Sequence, residues 1–178
     1  DAFPYNRSEW NDTDMDGTGD NADAFPNEAT QTTDNDNDGY GDNPNGINAD
    51  RFPDDRLEWA DSDNDTVGDN ADAFPNDATQ TTDRDGDGYG DNPSGMQADQ
   101  FPDEATQWLD DDDDGFGDNP NGTNPDLLPN DPFEQRDSDM DGVGDNTDAF
   151  PNDPDETLDT DGDGMGDNEQ RALEQRLA

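Results

Sequence analysis

The chain has 178 residues, of which 52 are acidic and 7 are basic, and only 24% are hydrophobic. A net charge of −45 with so few apolar side chains excludes a conventional hydrophobic core, and without counter-ions such a chain is expected to be disordered. The charge also excludes nucleic acid and anionic membranes as partners. The lack of cysteine excludes a disulfide framework and a thiol catalyst.

An acidic motif, Asp-x-Asp-x-Asp followed by Gly-Asp-Asn, occurs seven times along the chain. The seven runs begin at Asp12, Asp34, Asp61, Asp83, Asp110, Asp137 and Asp159. Because successive runs start 22 or 27 residues apart, the sequence predicts a tandem-repeat array. The predicted repeats are 12–33, 34–60, 61–82, 83–109, 110–136 (long and divergent) and 137–158, with a final loop and capping helix at 159–178. Residues 1–11 align with 50–60, so we expect them to end a preceding repeat.

The spacing within each run is that of a calcium-binding loop. Positions 1, 3, 5, 7, 9 and 12 of the first loop are Asp12, Asp14, Asp16, Thr18, Asp20 and Asp23. An EF-hand loop uses these positions to wrap calcium, with position 7 contributing its backbone carbonyl. Hard oxygen donors without histidine or cysteine select a hard cation, and five aspartates favour Ca²⁺ over the tightly octahedral Mg²⁺. We therefore predict about seven or more Ca²⁺ ions, with folding and metal binding as one event.

The other candidate ligands follow in the same register. In the second and third loops they are Asp34, Asp36, Asp38, Tyr40, Asp42 and Asp50, then Asp61, Asp63, Asp65, Val67, Asp69 and Asp72. In the fourth and fifth they are Asp83, Asp85, Asp87, Tyr89, Asp91 and Asp99, then Asp110, Asp112, Asp114, Phe116, Asp118 and Asp126. In the sixth and seventh they are Asp137, Asp139, Asp141, Val143, Asp145 and Asp148, then Asp159, Asp161, Asp163, Met165 and Asp167. Thr66 replaces the position-6 glycine of the third loop, which predicts a strained or rearranged turn. Gln170 stands at position 12 of the last loop, which predicts a weaker or differently closed site.

Three long repeats, starting at 34, 83 and 110, contain five extra residues before the acidic residue equated with position 12. The insertions are 44–48, 93–97 and 120–124, each with proline first and glycine third, as in a turn. The twelfth ligand of these repeats is either the aspartate after the insertion or a residue within it. Position 7 is aromatic only in these repeats, and we hypothesise that the ring packs on the inserted turn.

Asp-x-Phe-Pro follows most loops and supplies one large apolar side chain per repeat, enough to pack on a neighbouring loop but not to build a core. The acidic or amide residues after each proline either complete a neighbouring site or hold a second ion. Trp10, Trp59 and Trp108 recur every 49 residues, two residues before a loop. At the end of the chain, Glu169 to Ala178 lacks proline and glycine and predicts a short helix, too short to be stable without packing on something.

With the loop and its Phe-Pro follower, the chain resembles thrombospondin type 3 repeats in their cysteine-free, bacterial form. The resemblance implies that Asp12, Asp14, Asp16, Asp20 and Asp23, with the Thr18 carbonyl, hold calcium in the first repeat. It implies the same for Asp137, Asp139, Asp141, Asp145 and Asp148, with the Val143 carbonyl, in the sixth. The implied fold is a tandem-repeat rod stapled by calcium, with EF-hand-like loops, short turns, a short C-terminal helix and little regular secondary structure.

The sequence predicts a calcium-binding structural protein: a rigid spacer, stalk or adhesive fibre segment. Because many sites of modest affinity need millimolar calcium, we expect a secreted, extracellular or cell-surface location. Two alternatives stay open. One is a filament subunit, with calcium and aromatic contacts joining it to other copies of itself or to cell-surface components. The other is a low-affinity calcium store or mineral-binding polyanion.

Catalysis and membrane insertion are not expected. The chain has no histidine and no cysteine, and its repeats offer no dry pocket in which a carboxyl group would stay neutral for acid catalysis. No apolar run approaches the ~20 residues that span a bilayer, and no signal-peptide pattern is present. Four Asn-x-Ser/Thr sequons and the threonine-rich joints are candidate glycan sites.

Overall fold

The computed structural model describes residues 2–177, so the predicted contributions of Asp1 and Ala178 lie outside the described residues. Within them the regular secondary structure is one helix, α1, Asp167–Leu177, and no β-strand. Isolated parallel bridges join Gly41 to Ala49, Gly90 to Ala98, and Gly117 to Pro125, one in each long repeat. The prediction of little regular secondary structure with a short C-terminal helix is confirmed.

Helix α1 begins two residues earlier than predicted. Asp167 and Glu169 lie in its first turn and Arg176 in its last, the charge distribution that the helix dipole favours. None of its residues is buried, so the expected packing is absent from the described part of the helix. Its first turn is instead held by the Glu156 carboxylate, which accepts hydrogen bonds from the N–H groups of Asn168 and Glu169.

The chain forms two compact units. One contains the residues up to Thr82 together with Ser94–Met96, and the other contains Asp83–Pro93 and the residues from Gln97 onward. Each unit is built from successive acidic loops joined by short turns. The first loop shows the pattern: the Asp20 N–H donates to the Asn11 carbonyl at 3.1 Å and closes the loop, and the Ala24 N–H donates to Thr32 at 3.1 Å.

Polar side chains occupy the interior of both units. No hydrophobic residue is buried among the described residues, and the side chains with the least exposure are glutamine, glutamate and aspartate. The buried polar and charged residues are Glu9, Asp23, Gln31, Asp50, Glu58, Asp72, Gln80, Asp99, Gln107, Asp110, Asp126, Glu134, Asp137, Asp148 and Glu156. The phenylalanines of the Phe-Pro sequences are only half-buried where the first two loops end. A hydrophobic core therefore does not explain how these units are held together.

Aromatic stacking supplies the clearest apolar contact. The rings of Tyr40 and Trp59 lie 5.0 Å apart and 4° from parallel, and those of Tyr89 and Trp108 lie 4.9 Å apart at the same angle. The structure thus gives the position-7 ring of a long repeat a partner that the sequence analysis did not assign, namely the tryptophan two residues before the next loop. The stack accounts for Trp59 and Trp108, two of the three tryptophans that recur every 49 residues.

The third long repeat lacks this stack. Phe116 takes the place of tyrosine, and Gln135 takes the place of tryptophan. These two side chains, with Pro125, Leu127 and Arg136 among others, line a cavity of about 280 Å³. The space that a tryptophan ring occupies in the other long repeats is therefore left open here.

We predict that Gln135→Trp stabilises this repeat. A ring placed over Phe116 would add an aromatic pair worth about 0.5–1.5 kcal/mol and fill the cavity. Thermal unfolding in saturating calcium would show the gain as a higher melting temperature. Thr157→Trp is the matched control, because it adds the same ring at the same register after a short repeat, where position 7 is Val143. Equal gains from both substitutions would contradict the stacking explanation.

Candidate metal centre

The aspartates at positions 1, 3 and 5 converge in each loop that the distances identify. One carboxylate oxygen from each of the three lies within 4.8 Å of the others. The five groups named by this distance are Asp12, Asp14 and Asp16; Asp34, Asp36 and Asp38; Asp61, Asp63 and Asp65; Asp83, Asp85 and Asp87; and Asp110, Asp112 and Asp114. Two further acidic groups meet the same distance. Oxygen atoms at these separations can hold an ion.

In the first six loops the carboxylates at positions 3 and 5 each have one oxygen committed to the backbone. In the first loop the Asp16 N–H donates to Asp14 Oδ1 at 3.3 Å, and the Thr18 N–H donates to Asp16 Oδ1 at 2.7 Å. The Oδ2 atoms of Asp14 and Asp16 are buried without a hydrogen-bond partner. Each side chain therefore stabilises its own turn and directs its second oxygen into the cluster.

The aspartate at position 1 organises the backbone around it. Asp12 Oδ1 accepts from the N–H of Met15 at 2.7 Å, and its Oδ2 accepts from the N–H of Gly17 at 3.2 Å. Both donors are left-handed, with φ of 68° at Met15 and 98° at Gly17. The glycine at position 6 was predicted from its turn, whereas the left-handed residue at position 4 was not predicted.

Thr66 shows which of the two predicted outcomes holds for the third loop. Its φ is 85°, close to the values of the glycines in the other loops, and its N–H donates to Asp61 Oδ2 at 3.3 Å. The turn is therefore strained and not rearranged, because a β-branched residue occupies a conformation that glycine adopts freely.

A fourth carboxylate, which we call the closing aspartate, stands at position 12 or its equivalent in the first six loops. The closing aspartates are Asp23, Asp50, Asp72, Asp99, Asp126 and Asp148. All six are buried, and each has an Oδ2 without a hydrogen-bond partner. The N–H of each donates to the carbonyl of the position-8 glycine, at 3.0 Å for Asp23 and 2.8 Å for Asp50.

The same hydrogen bond in long and short repeats decides where the twelfth candidate ligand of a long repeat lies. Asp50, Asp99 and Asp126 follow the inserted turn, yet they occupy the place that Asp23 and Asp72 occupy without an insertion. The insertion closes on itself through the Gly41–Ala49 bridge and its equivalents, so it adds residues without displacing the closing aspartate. The structure places no acidic residue of the insertion there, because the insertions contain none.

The position-9 aspartates hold the start of the loop. In the first loop Asp20 Oδ1 accepts from the Thr13 N–H at 2.8 Å, and Asp20 Oδ2 accepts from the Thr13 hydroxyl at 2.7 Å. Ser62, Ser138 and Thr160 make the same pair of bonds in the other short loops. With both oxygens committed, these aspartates contribute to loop geometry, and their role as ligands stays a prediction.

The position-7 residues present a backbone carbonyl, as the loop pattern requires. They are Thr18, Tyr40, Val67, Tyr89, Phe116, Val143 and Met165. In the described part of the chain no backbone N–H donates to any of these carbonyls. They are therefore available to a ligand, and coordination through them stays a prediction.

The last loop differs as Gln170 led us to expect. The Gln170 N–H donates to Gly166 at 2.9 Å, so the residue has the closing position, but its Nε2 donates to Asp161 Oδ2 at 3.0 Å. Asp161 and Asp163 are exposed, unlike their half-buried counterparts in the first loop. The last loop therefore has an amide where the others have a fourth carboxylate, and its weaker binding of an ion stays a prediction.

The residues after each Phe-Pro pair have a local role in the structure. Glu28 Oε1 accepts from the Thr30 N–H and hydroxyl at 3.1 and 2.8 Å, and Asp77 Oδ1 does the same for Thr79 at 3.0 and 2.6 Å. These acidic groups cap the turn between repeats. Neither completion of a neighbouring site nor a second ion is needed to explain them.

Electrostatics makes each cluster unfavourable until it is neutralised. Burial raises the pKa of Asp23, and the charges of Asp16, Asp14 and Asp12 raise it further. Burial likewise raises the pKa of Asp50, with Asp38, Asp36 and Asp42 as the charged neighbours. The closing aspartates Asp99 and Asp126 show the same shift for the same reason. Bound protons or a bound cation would both relieve this repulsion.

Comparison of the sequence with protein-family models gives no match, and comparison with curated proteins gives none either. Among the described residues, no helix is both long enough and apolar enough to cross a membrane. The assignment of the chain therefore depends on its own residues and their geometry.

We predict that Asp50→Asn weakens one ion site. Asn Oδ1 can keep the hydrogen bond that Asp50 Oδ1 accepts from the Phe52 N–H at 2.7 Å, while the inward oxygen is lost. Calcium affinity at that site should fall about tenfold or more, because charge count sets affinity in such loops. Metal content at fixed free calcium measures it. Asp54→Asn, at an exposed position of the same repeat, changes the net charge equally and should have no effect.

We predict opposite responses to acid with and without calcium. Because the pKa values of the closing aspartates Asp23, Asp50, Asp99 and Asp126 are raised, the metal-free fold binds more protons than the unfolded chain. The stability of the metal-free fold therefore rises as pH falls from 7 toward about 4, and this gain is lost as pH rises again. In calcium the same protonation displaces the ion and lowers stability. Hydrodynamic radius against pH, in dialysed and calcium-loaded protein, tests this. Expansion of the metal-free protein on acidification would contradict it.

Proposed function

We propose that the chain is a calcium-binding structural protein, ordered by about one or more Ca²⁺ per repeat. The observation that supports it is the set of buried carboxylate oxygens without partners. Among residues 2–177, 19 buried side-chain oxygen and nitrogen atoms have no hydrogen-bond partner, and 17 of them belong to positions 3, 5 and 12 of the loops. Such atoms are costly when scattered, and here they are gathered into the clusters that the sequence pattern predicts.

Calcium is the ion that fits these donors best. Every side chain in the clusters offers a carboxylate oxygen, and the chain has no histidine or cysteine to favour a transition metal. Four carboxylates with a backbone carbonyl provide the oxygen-rich, flexible coordination that Ca²⁺ accepts and Mg²⁺ does not. When bound, the ion supplies the positive charge that the clusters lack.

In this proposal the ions take the place of the missing hydrophobic core. They convert a polyanion into a stiff, extended rod of the thrombospondin type 3 kind, which serves as an extracellular or cell-surface spacer, stalk or adhesive fibre segment. Millimolar calcium outside cells would keep sites of modest affinity filled. No catalytic role is proposed, because the orphaned carboxylates are explained by metal binding.

Exposed apolar side chains favour assembly into filaments as a second candidate function. Tyr5, Leu57 and Phe133 are 101%, 74% and 80% exposed. Leu57 and Phe133 share a register, four residues before a loop. Large exposed apolar groups on so charged a protein can take part in contacts with another chain where they form a patch.

We predict that calcium changes shape and stoichiometry together. Metal-free protein titrated with calcium while small-angle X-ray scattering is recorded should bind about seven or more ions and change from a coil into a thin particle of fixed length. Growth in mass beyond 19.4 kDa would favour filament assembly. Calcium binding that leaves the coil unchanged would overturn the proposal and favour a calcium store.

A further inference from the structure

The residue three positions before each loop is buried, and its identity follows repeat length. Glutamine precedes the long repeats, and glutamate precedes the short ones and the final loop. The glutamines are Gln31, Gln80 and Gln107, and the glutamates are Glu9, Glu58, Glu134 and Glu156. We call this the gate residue. Its exposure is between 1% and 7% in all seven cases, so its side chain contacts protein atoms and not solvent.

In a long repeat the gate glutamine is bonded on both sides of its amide. Gln31 Oε1 accepts from the Asn43 N–H at 2.9 Å, and Gln31 Nε2 donates to the carbonyls of Asn43 and Ile47 at 3.0 and 3.1 Å. Gln107 makes the same three bonds with Asn119 and Thr123. The gate residue thus faces two carbonyls, that of Asn43 just before the insertion and that of Ile47 within it, and only a donor satisfies them.

Two glycines enclose the gate glutamine. A Cβ atom on Gly41 would lie 2.1 Å from Gln31 Oε1, and one on Gly46 would lie 2.4 Å from Gln31 Nε2. Gly46 is the third residue of the insertion, and Gly122 has the same relation to Gln107 at 2.5 Å. The inserted turn is therefore shaped around this amide.

In a short repeat the gate glutamate meets only a donor. Glu58 Oε2 accepts from the Asn70 N–H at 3.0 Å, and the short repeat has no residue that corresponds to Ile47 and its carbonyl. Glu134 and Asn146 repeat the bond at 3.0 Å. A carboxylate accepts and cannot donate, which matches what this side of the loop offers.

The gate residue acts on the closing aspartate through the segment that it binds. Gln31 holds Asn43 and Ile47, and the chain then returns so that the Gly41 N–H donates to the Asn48 carbonyl at 3.1 Å. The next bond in the same ladder is from the Asp50 N–H to Gly41 at 2.8 Å. The amide therefore fixes the start of the segment whose end presents a candidate calcium ligand.

We propose that the gate residue is a positioning residue that matches the route of the loop to the ion site. In a long repeat the glutamine at this position holds the inserted turn so that the closing aspartate lies at the cluster. In a short repeat, which has no insertion, the glutamate at this position positions the closing aspartate in the same way. The inference rests on the proposed function, since it assigns what positions a calcium ligand. A mismatched gate leaves a buried polar group without its partner and misplaces that ligand.

The sequence offers a sharp test in the second repeat. Deletion of residues 44–48 joins Asp42-Asn43 to Ala49-Asp50 and creates the Asp-Asn-Ala-Asp sequence that the short repeats have at 20–23 and 69–72. Four full-length proteins form a cycle: the parent, Gln31→Glu, the deletion, and both changes together. Gln31→Glu places a negative charge against two carbonyls, and the deletion alone removes the Ile47 carbonyl, one of the two acceptors of the amide donor.

Each single change should lower calcium affinity at one site about tenfold, and the double change should restore it. Metal content at fixed free calcium measures affinity, and amide hydrogen exchange of the segment that contains Asp50 measures positioning directly. A double variant no better than the sum of the two single effects would overturn the inference, because unrelated structural defects add. Glu58→Gln, which keeps an acceptor for the Asn70 N–H, should cost less than Gln31→Glu.

The two proposals fail differently. If the parent protein binds no calcium, the proposed function is wrong. If the parent binds calcium and the cycle is additive, the ion sites stand and only the gate is wrong. Should Gln31→Glu fail to fold, the double variant still decides, because a matched carboxylate gate and short loop should fold and bind as the 61–82 repeat does.

Discussion

The rest of this structure depends on the repulsion among its clustered carboxylates. They are held close together, and each turns one oxygen inward. No buried hydrophobic residue among those described offsets this repulsion. The desolvation of Asp23 and Asp50, added to the charges beside them, shows in raised pKa values for both groups. A fold of this kind has no favourable interior of its own, so its order must be linked to whatever neutralises the clusters.

The close approach of these carboxylates also explains why the clusters contain aspartate and not glutamate. At positions 3, 5 and 12, one carboxylate oxygen accepts a hydrogen bond from the backbone N–H two residues later. The N–H groups of Asp16, Thr18 and Phe25 donate in this way to Asp14, Asp16 and Asp23, respectively. This is the Asx-turn bond, which a side chain one methylene longer does not make as well. Each carboxylate therefore fixes its own turn and aims its second oxygen with the same rigid geometry.

The sequence alone was sufficient for whatever depends on spacing. Their alternate spacing predicts that Asp12, Asp14 and Asp16 lie on one side of a curled backbone. The absence of proline and glycine after Glu169 predicts the helix α1. Long-range pairings were not foreseen. That Tyr40 stacks on Trp59, or that Gln31 reaches Asn43, depends on how the chain returns after a turn, and no periodicity within one loop encodes that.

Position 4 was missed for a different reason. Its left-handed backbone is indicated by glycine or asparagine in several loops, but Met15 and Met140 adopt it too, with φ of 68° and 66°. The bond from each N–H to the position-1 carboxylate outweighs the local preference of methionine. Sequence propensity does not predict the backbone conformation where a charged acceptor holds the N–H group, as it does at position 4 of these loops.

The two kinds of stabilisation in the chain have different periods, and this bears on how it would lose its structure. Carboxylate clusters are found in each of the first five loops, whereas in the described part of the chain Tyr–Trp stacks are found in the two long repeats that begin at 34 and 83. In a repeat array, stability is close to a sum of contributions from each repeat and its neighbours. Repeats with a stack keep a contact that does not depend on charge, and the repeat with Phe116 beside an open cavity does not. As ions are removed, the repeat that starts at Asp110 should therefore lose order before its long counterparts, although its cluster has the same four carboxylates.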